Sequence, residues 1–291
     1  MMIFNFSQKF LLSILFLSIV VASACKKKNP EPEVTYEASQ AYNLQNVSYG
    51  SDNQQKMDIY LPANRNSNTK VFVLIHGGGW IGGDKGDLAS FMNSLKTYYP
   101  NHAIININYR LASQGSPAYP KQIDDIRSAL AEISLSKYTV SSQYLLFGAS
   151  AGAHLSLLYA YSFDPDHHVK GVCNTVGPSD LTDPNYLNNQ AYSSVYPILV
   201  SGGTQNQAAI EAVSPALHVT ATSPPTISFY GDSDPLVPAT QMARLHDALN
   251  ANGVYNQGTM YQGADHGTNW TTAQTNDYVS KIVLFVNAYF Q

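Results

Sequence analysis

Two apolar runs in this chain each end abruptly in glycine. Val71–Ile75 (VFVLI) leads into His76-Gly77-Gly78-Gly79-Trp80, and residues 144–147 (YLLF) lead into Gly148-Ala149-Ser150-Ala151-Gly152. A continuous apolar run has no polar face, which suits a parallel strand covered on both sides. Residues 103–108 (AIININ) and 226–230 (TISFY) read the same way, 169–173 (VKGVC) is a further strand, and 258–261 (GTMY) is the last strand-like run. Helical patterns lie between them. Ile123, Ile126, Leu130 and Ile133 share one helical face, as do Met242, Leu245 and Leu249, and Tyr278, Ile282, Phe285, Val286 and Tyr289 form a stripe near the C-terminus. This alternation predicts an α/β sandwich with a mostly parallel central sheet and helices on both faces. Reactive groups then belong on loops at the carboxyl ends of the strands, which is where both glycine motifs begin.

The chain has 291 residues, 44% of them hydrophobic, enough for one large domain, taken as 41–291. Its net charge of −4 argues against a nucleic-acid partner, which would want a basic face. Residues 10–24 (FLLSILFLSIVVASA) form an apolar run between Lys9 and Lys26-Lys27-Lys28. The run is shorter than the roughly 20 apolar residues that span a bilayer, so 1–24 reads as a secretory signal peptide. Ala22-Ser23-Ala24-Cys25 is similar to a bacterial lipobox, with Cys25 as the lipidated first mature residue and the only link to a membrane. The alternative is an ordinary signal peptide with an incidental cysteine. The charged, proline-bearing stretch up to residue 40 reads as a flexible tether, giving 25–40 as a linker. Only two cysteines exist; with Cys25 lipidated, Cys173 has no disulfide partner and reads as a small buried hydrophobe.

The chemistry follows from the two motifs. Gly148-Ala149-Ser150-Ala151-Gly152 has the G-x-S-x-G form of a nucleophile elbow, in which a strand turns sharply into a helix and thrusts one hydroxyl outward. Ser150 is the nucleophile, and Gly148 and Gly152 avoid a clash between the two arms of the turn. The helix that follows, 151–161, aims its N-terminus at the reacting centre. His76-Gly77-Gly78-Gly79 has the form of an oxyanion loop. Gly77, Gly78 and the main chain of Ala151 are the donors, each lowering a barrier by roughly 3 kcal/mol. Trp80 either lines the acyl pocket or packs the loop.

A serine needs a base, and the base an orienting carboxylate. Asp234, in Gly231-Asp232-Ser233-Asp234-Pro235-Leu236-Val237-Pro238, sits deeper in its loop than its rival Asp232. His266, in Gly263-Ala264-Asp265-His266-Gly267, lies between the last strand and the last helix, with Asp265 as a solvated neighbour or local cap. Of the other histidines, His76 fixes the oxyanion loop and His154 is a buried, satisfied group. His167 and His168 lie with Asp164 and Asp166 in a polar turn without ligand spacing, so neither a metal nor another cofactor is expected.

With these residues in place, the chain resembles the carboxylesterase side of the α/β-hydrolases. It is most similar to the compact acetyl-xylan and feruloyl esterase-like group related to hormone-sensitive-lipase-type esterases. The resemblance runs from about Val47 to the C-terminus through Met57-Asp58-Ile59-Tyr60-Leu61-Pro62, the glycine loop with Gly83-Asp84-Lys85, Tyr109-Arg110-Leu111, Ser150 to Leu155 and Ser214-Pro215. It implies a serine ester hydrolase for short-chain or aromatic acyl esters, including acetylated or feruloylated carbohydrates, in the bacterial cell envelope. Residues 177–223, with a short helix at 207–213, are too few for a large lid, which implies an open site. The alternatives are an arylformamidase-like or prolyl-oligopeptidase-like hydrolase, or an inactive hydrolase fold used as a binding module.

Overall fold

The structure, a computed structural model, describes residues 34–188, 195–202 and 206–291. The predicted signal peptide and Cys25 lie outside the described residues. Among the described residues a single sheet has eight strands: β1 (Tyr42–Ser48), β2 (Lys56–Leu61), β3 (Val71–Ile75), β4 (Ala103–Ile107), β5 (Tyr144–Ala149), β6 (Val169–Thr175), β7 (Thr226–Gly231) and β8 (Asn256–Tyr261). Their spatial order is β1-β2-β4-β3-β5-β6-β7-β8. Pairing is antiparallel from β1 to β2 and from β2 to β4, and parallel across the rest. The helices are α1 (Ala89–Tyr98), α2 (Lys121–Ile133), α3 (Ala151–Ser162), α4 (Pro184–Leu187), α5 (Val195–Leu199), α6 (Gln207–Ala212), α7 (Thr240–Ala251) and α8 (Thr272–Tyr289).

The alternation of side chains along a strand divides the core into two layers. Val71, Val73 and Ile75 of β3 pack with Ile105, Leu146 and the α2 residues Ile123, Ile126 and Leu130. Phe72 and Leu74 point the other way, with Phe147, Met92 and Leu95 of α1, and Ile282, Phe285 and Val286 of α8. Every residue of β3 is buried, as its unbroken apolar run requires. Each such side chain contributes about 2 kcal/mol by leaving water. Helix α3 is apolar nearly all round and is buried from Ala151 to Tyr161.

The structure adds two strands that apolar runs do not reveal. β2 alternates, burying Met57, Ile59 and Leu61 while Lys56, Asp58 and Tyr60 stay partly exposed, and β1 is the half-exposed edge beside it. It also shortens the expected linker. The compact unit begins at Thr35, so residues 35–40 are no tether. Tyr36 stacks on Tyr138 with ring centroids 5.5 Å apart, its N–H donates to Lys137 across 3.2 Å, and its carbonyl accepts from Arg65 at 2.5 Å. One aromatic residue among charged neighbours is enough to dock the segment, an effect that composition averages away.

The loops that leave the carboxyl ends of β3, β5, β7 and β8 carry His76, Ser150, Asp234 and His266. All four therefore meet at one edge of the parallel sheet.

Candidate active site

Ser150 sits between the last residue of β5 and the first of α3 with φ 53° and ψ −121°. A side-chain-bearing residue in this region is strained, and the surroundings hold it there. Its N–H donates to the carbonyl of Thr175 on β6 across 2.8 Å, and its own carbonyl accepts from His154 at 3.0 Å. A Cβ at Gly152 would lie 2.1 Å from the carbonyl oxygen of Ile75, and one at Gly148 would lie 2.4 Å from that of Gly152. Both arms of the turn thus need glycine.

His266 Nε2 lies 2.8 Å from Ser150 Oγ, and His266 Nδ1 lies 2.6 Å from Asp234 Oδ2. Asp234 is acceptor-only when ionised, so Nδ1 carries the ring proton and Nε2 is free to accept from the serine. The other oxygen, Asp234 Oδ1, accepts from the main-chain N–H of Leu236 at 2.7 Å and Val237 at 3.0 Å, which fixes the carboxylate plane. The Asp234 side chain is 1% exposed and that of His266 17%. Asp232, the rival carboxylate, is exposed and accepts instead from Gly263 N–H at 2.7 Å and the Ser233 hydroxyl at 3.0 Å. Asp265 is a local cap. The hydroxyl of Thr268 and the N–H groups of Asn269, Thr268 and Gly267 donate to it and hold its carboxyl at about 2.

The glycine loop passes directly beside the serine. A Cβ on Gly77 would lie 3.2 Å from Ser150 Cβ and 3.0 Å from the Ala149 carbonyl oxygen. Gly78 has φ +106° and its carbonyl accepts from Ile81 and Gly82, so the chain curls back on itself. His76 is buried; its Nδ1–H donates to the Gly77 carbonyl at 2.7 Å and its ring stacks on Tyr109 at 4.3 Å. Tyr109 donates in turn to the His76 carbonyl at 2.9 Å. Burial lowers the His76 pKa, which favours the neutral ring.

Trp80 is packed against the glycine loop, and it is not among the residues that line the cavity formed by Ala149, Thr175 and Tyr278. It is 5% exposed, its indole N–H donates to His154 Nδ1 at 3.2 Å, and its carbonyl accepts from Gln122 Nε2 at 2.8 Å. His154 Nε2–H donates to the Val213 carbonyl at 2.7 Å. The bond to His154 ties the indole to the helix that follows Ser150. Gln122 and Thr175 carry no motif signal, since the contacts that matter are with residues distant in sequence. Burial pushes the Cys173 thiol up. Among the described residues no cluster of His, Cys, Asp and Glu side chains could hold a metal ion. Asp164 instead accepts from the main-chain N–H groups of His168 and Val169.

A family model described as BD-FAE matches residues 57–249, more than half of the chain. The chain belongs to the BD-FAE family. The fold of this BD-FAE protein is that of the α/β-hydrolases. It superposes with a TM-score of 0.72 on a truncated form of a carbohydrate esterase from gut microbiota, 22% identical, covering 88% of this chain and 99% of that one. At that identity the likeness is one of fold. The probable carboxylic ester hydrolase LipM of Mycobacterium tuberculosis is 29% identical over 62% of this chain and 44% of its own length. The kynurenine formamidase of Salmo salar is 26% identical over 48% of each chain. The BD-FAE protein thus spans about half the length of these curated relatives.

Proposed function

We propose that this BD-FAE protein is a serine carboxylic ester hydrolase working through an acyl-enzyme. One observation carries the reading: Asp234, His266 and Ser150 form an unbroken hydrogen-bonded relay beside the glycine loop. Ser150 Oγ attacks the ester carbonyl carbon while His266 Nε2 takes its proton. Asp234 holds the ring in the required tautomer and stabilises the imidazolium. The oxyanion is met by N–H groups of Gly77, Gly78 and Ala151, in a loop that is already curled before substrate arrives. Collapse expels the alcohol, which leaves with the proton from His266. Water, deprotonated by the same ring, then attacks the acyl-enzyme and releases the carboxylic acid and the serine.

The substrates proposed are esters of short-chain or aromatic acids, including acetylated or feruloylated carbohydrates. The partial exposure of Ser150 and His266 supports a site open to a bulky ester. The formamidase relative favours a second reading, cleavage of an aryl formamide by the same relay. A Ser150→Ala variant should lose about five orders of magnitude in turnover of p-nitrophenyl butyrate; retained turnover would mean that another group attacks. Assaying an N-formyl aryl amine beside the ester separates the two readings.

The location proposed is the bacterial envelope, with a signal peptide at 1–24 and a lipid on Cys25. The support is the sequence of that segment. Incorporation of labelled palmitate that disappears in Cys25→Ser tests it; equal labelling of both proteins overturns it.

A further inference from the structure

Met92 and Leu95 seat α1 over Leu74 and Ile104, and a cavity of about 180 Å³ lies between this helix and the β1–β2 edge of the sheet. Its polar lining is Asn43 and Gln45 of β1, Asp58 of β2, Asn106 of β4, and Asn93 and Lys96 of α1. Strand register brings these groups together. Asp58 stands opposite Asn106, and Asn43 stands opposite Tyr60. Alternate residues of β2 share a face, so one polar face runs across three strands. Asn106 interrupts the buried apolar run of β4 and is itself only 1% exposed. Its Nδ2 donates to the Lys85 carbonyl at 2.6 Å, while its Oδ1 accepts no hydrogen bond among the described residues. A buried acceptor without a donor is costly, and a donor entering from the cavity relieves that cost. Gln45 and Asn93 are exposed, and their carboxamides are free to meet a ligand.

From this lining we propose that the cavity is a non-catalytic binding site for one neutral pyranose ring of a saccharide. The site goes beyond the ester-hydrolase reading and does not depend on it, since no residue of the relay or of the loop 76–80 lines it. Charge argues for a neutral ligand. Asp58 is already paired with Lys85 Nζ at 2.9 Å, and Lys96 Nζ donates to Asn43 at 2.9 Å and lies 5.2 Å from the centre of the Tyr60 ring. An anion entering the cavity would meet the Asp58 carboxylate, and a cation would meet the Lys96 ammonium. Hydrogen-bonding chemistry argues for hydroxyls. Each carboxamide offers two donors and an acceptor, and a hydroxyl both donates and accepts, so neighbouring hydroxyls can satisfy Asn106 Oδ1 and the free amides together. Met92 supplies a hydrocarbon surface for the C–H groups of the ring. Size agrees: a cavity of about 150 Å³ holds the six-membered ring of benzene, and the extra space here suits the hydroxyls of a pyranose.

The test is an NMR titration of the isotope-labelled protein with methyl β-D-xylopyranoside, followed on the side-chain amide resonances of Asn43, Gln45, Asn93 and Asn106. A single ring held by a few hydroxyl contacts should shift them in a saturable way, with a Kd of about 1–10 mM. Sodium acetate and methylammonium chloride at the same concentrations should leave them in place. Asn93→Trp puts an indole where the ring would sit and should weaken binding at least tenfold, with far-UV circular dichroism to check folding. No shift up to about 100 mM glycoside overturns the proposal, as does the wild-type affinity in folded Asn93→Trp. Equal binding of either ion overturns the choice of a neutral ligand. A second measurement needs no variant: in a crystal of the wild type soaked in the glycoside, a ring hydroxyl should lie within hydrogen-bonding distance of Asn106 Oδ1, and an ordered water alone at that atom overturns it. The glycoside contains no ester, so these outcomes are separate from the turnover that tests the ester-hydrolase reading.

Discussion

The indole N–H of Trp80 donates to His154 Nδ1 across 3.2 Å, tying the glycine loop to the helix that starts at the nucleophile. The opposite ring nitrogen donates to Val213, so one neutral imidazole links three separate segments. Protonation would place a hydrogen on Nδ1 facing the Trp80 N–H and break the tie. Desolvation accordingly lowers the His154 pKa to about 4. Relative to an unfolded value near 6.5, the neutral ring contributes about 3 kcal/mol of stability. The sign is that of a base whose folded pKa is depressed. The contribution is complete above about pH 6.5, declines as pH falls towards 4, and changes no further below that. His154→Gln keeps a donor and an acceptor but does not titrate. The expected outcome is that the fall in Tm between pH 7 and pH 4.5 is shallower in this variant than in the wild type. Parallel Tm curves would contradict it.

Asp234→Asn is expected to lower kcat by about four orders of magnitude, because an amide can donate to His266 Nδ1 and so favours the wrong tautomer. Asp232→Asn, whose carboxylate accepts from Gly263 and Ser233, is expected to stay within about threefold of the wild type. Steady-state turnover of p-nitrophenyl butyrate by the two variants distinguishes the carboxylates; equal losses would contradict the assignment.

Gly152→Ala is expected to destabilise by about 3 kcal/mol or more, since the new methyl would meet the main-chain carbonyls of Ile75 and His76 at 2.1 and 2.4 Å. Ala153→Gly in the same helix turn is expected to cost only about 1 kcal/mol. Urea denaturation midpoints compare them. A Gly152→Ala midpoint at or above that of Ala153→Gly would mean that the strand and helix are not pressed together.

Asp265→Ala is expected to loosen the turn that presents His266, by removing the acceptor for three main-chain N–H groups. The carboxylate titrates at about 2, below the usual range, so its contribution is present above about pH 4 and lost only as pH falls through 2. The variant should lose about tenfold in kcat at pH 7 while the wild type keeps this turn intact down to pH 4. Unchanged kcat would show that His266 is positioned without it.

How legible these features are in the chain depends on how local their causes are. β3, β5 and β7 can be read because burial on both faces forces unbroken apolar runs, and Ser150, His266 and Asp234 because the turns that present them leave glycine and proline around them. β1 and β2 escape because an antiparallel edge pairs through its main chain while alternate side chains stay polar. Helix α1 buries only Met92 and Leu95, too thin a stripe to stand out from ASFMNSLKTY. The Trp80–His154–Val213 link is invisible in sequence because it joins residues 74 and 59 positions apart. The cavity beside Ala149 is likewise a product of how α1 and α8 meet the sheet.

The central claim is that the 2.8 Å contact between His266 Nε2 and Ser150 Oγ makes this one hydroxyl an attacking group. The most direct measurement is labelling of the intact protein with a fluorophosphonate, followed by mass-spectrometric mapping of the adduct. The expected result is one adduct per chain on Ser150, abolished in His266→Ala. An unlabelled protein, or an adduct on another residue, contradicts the account.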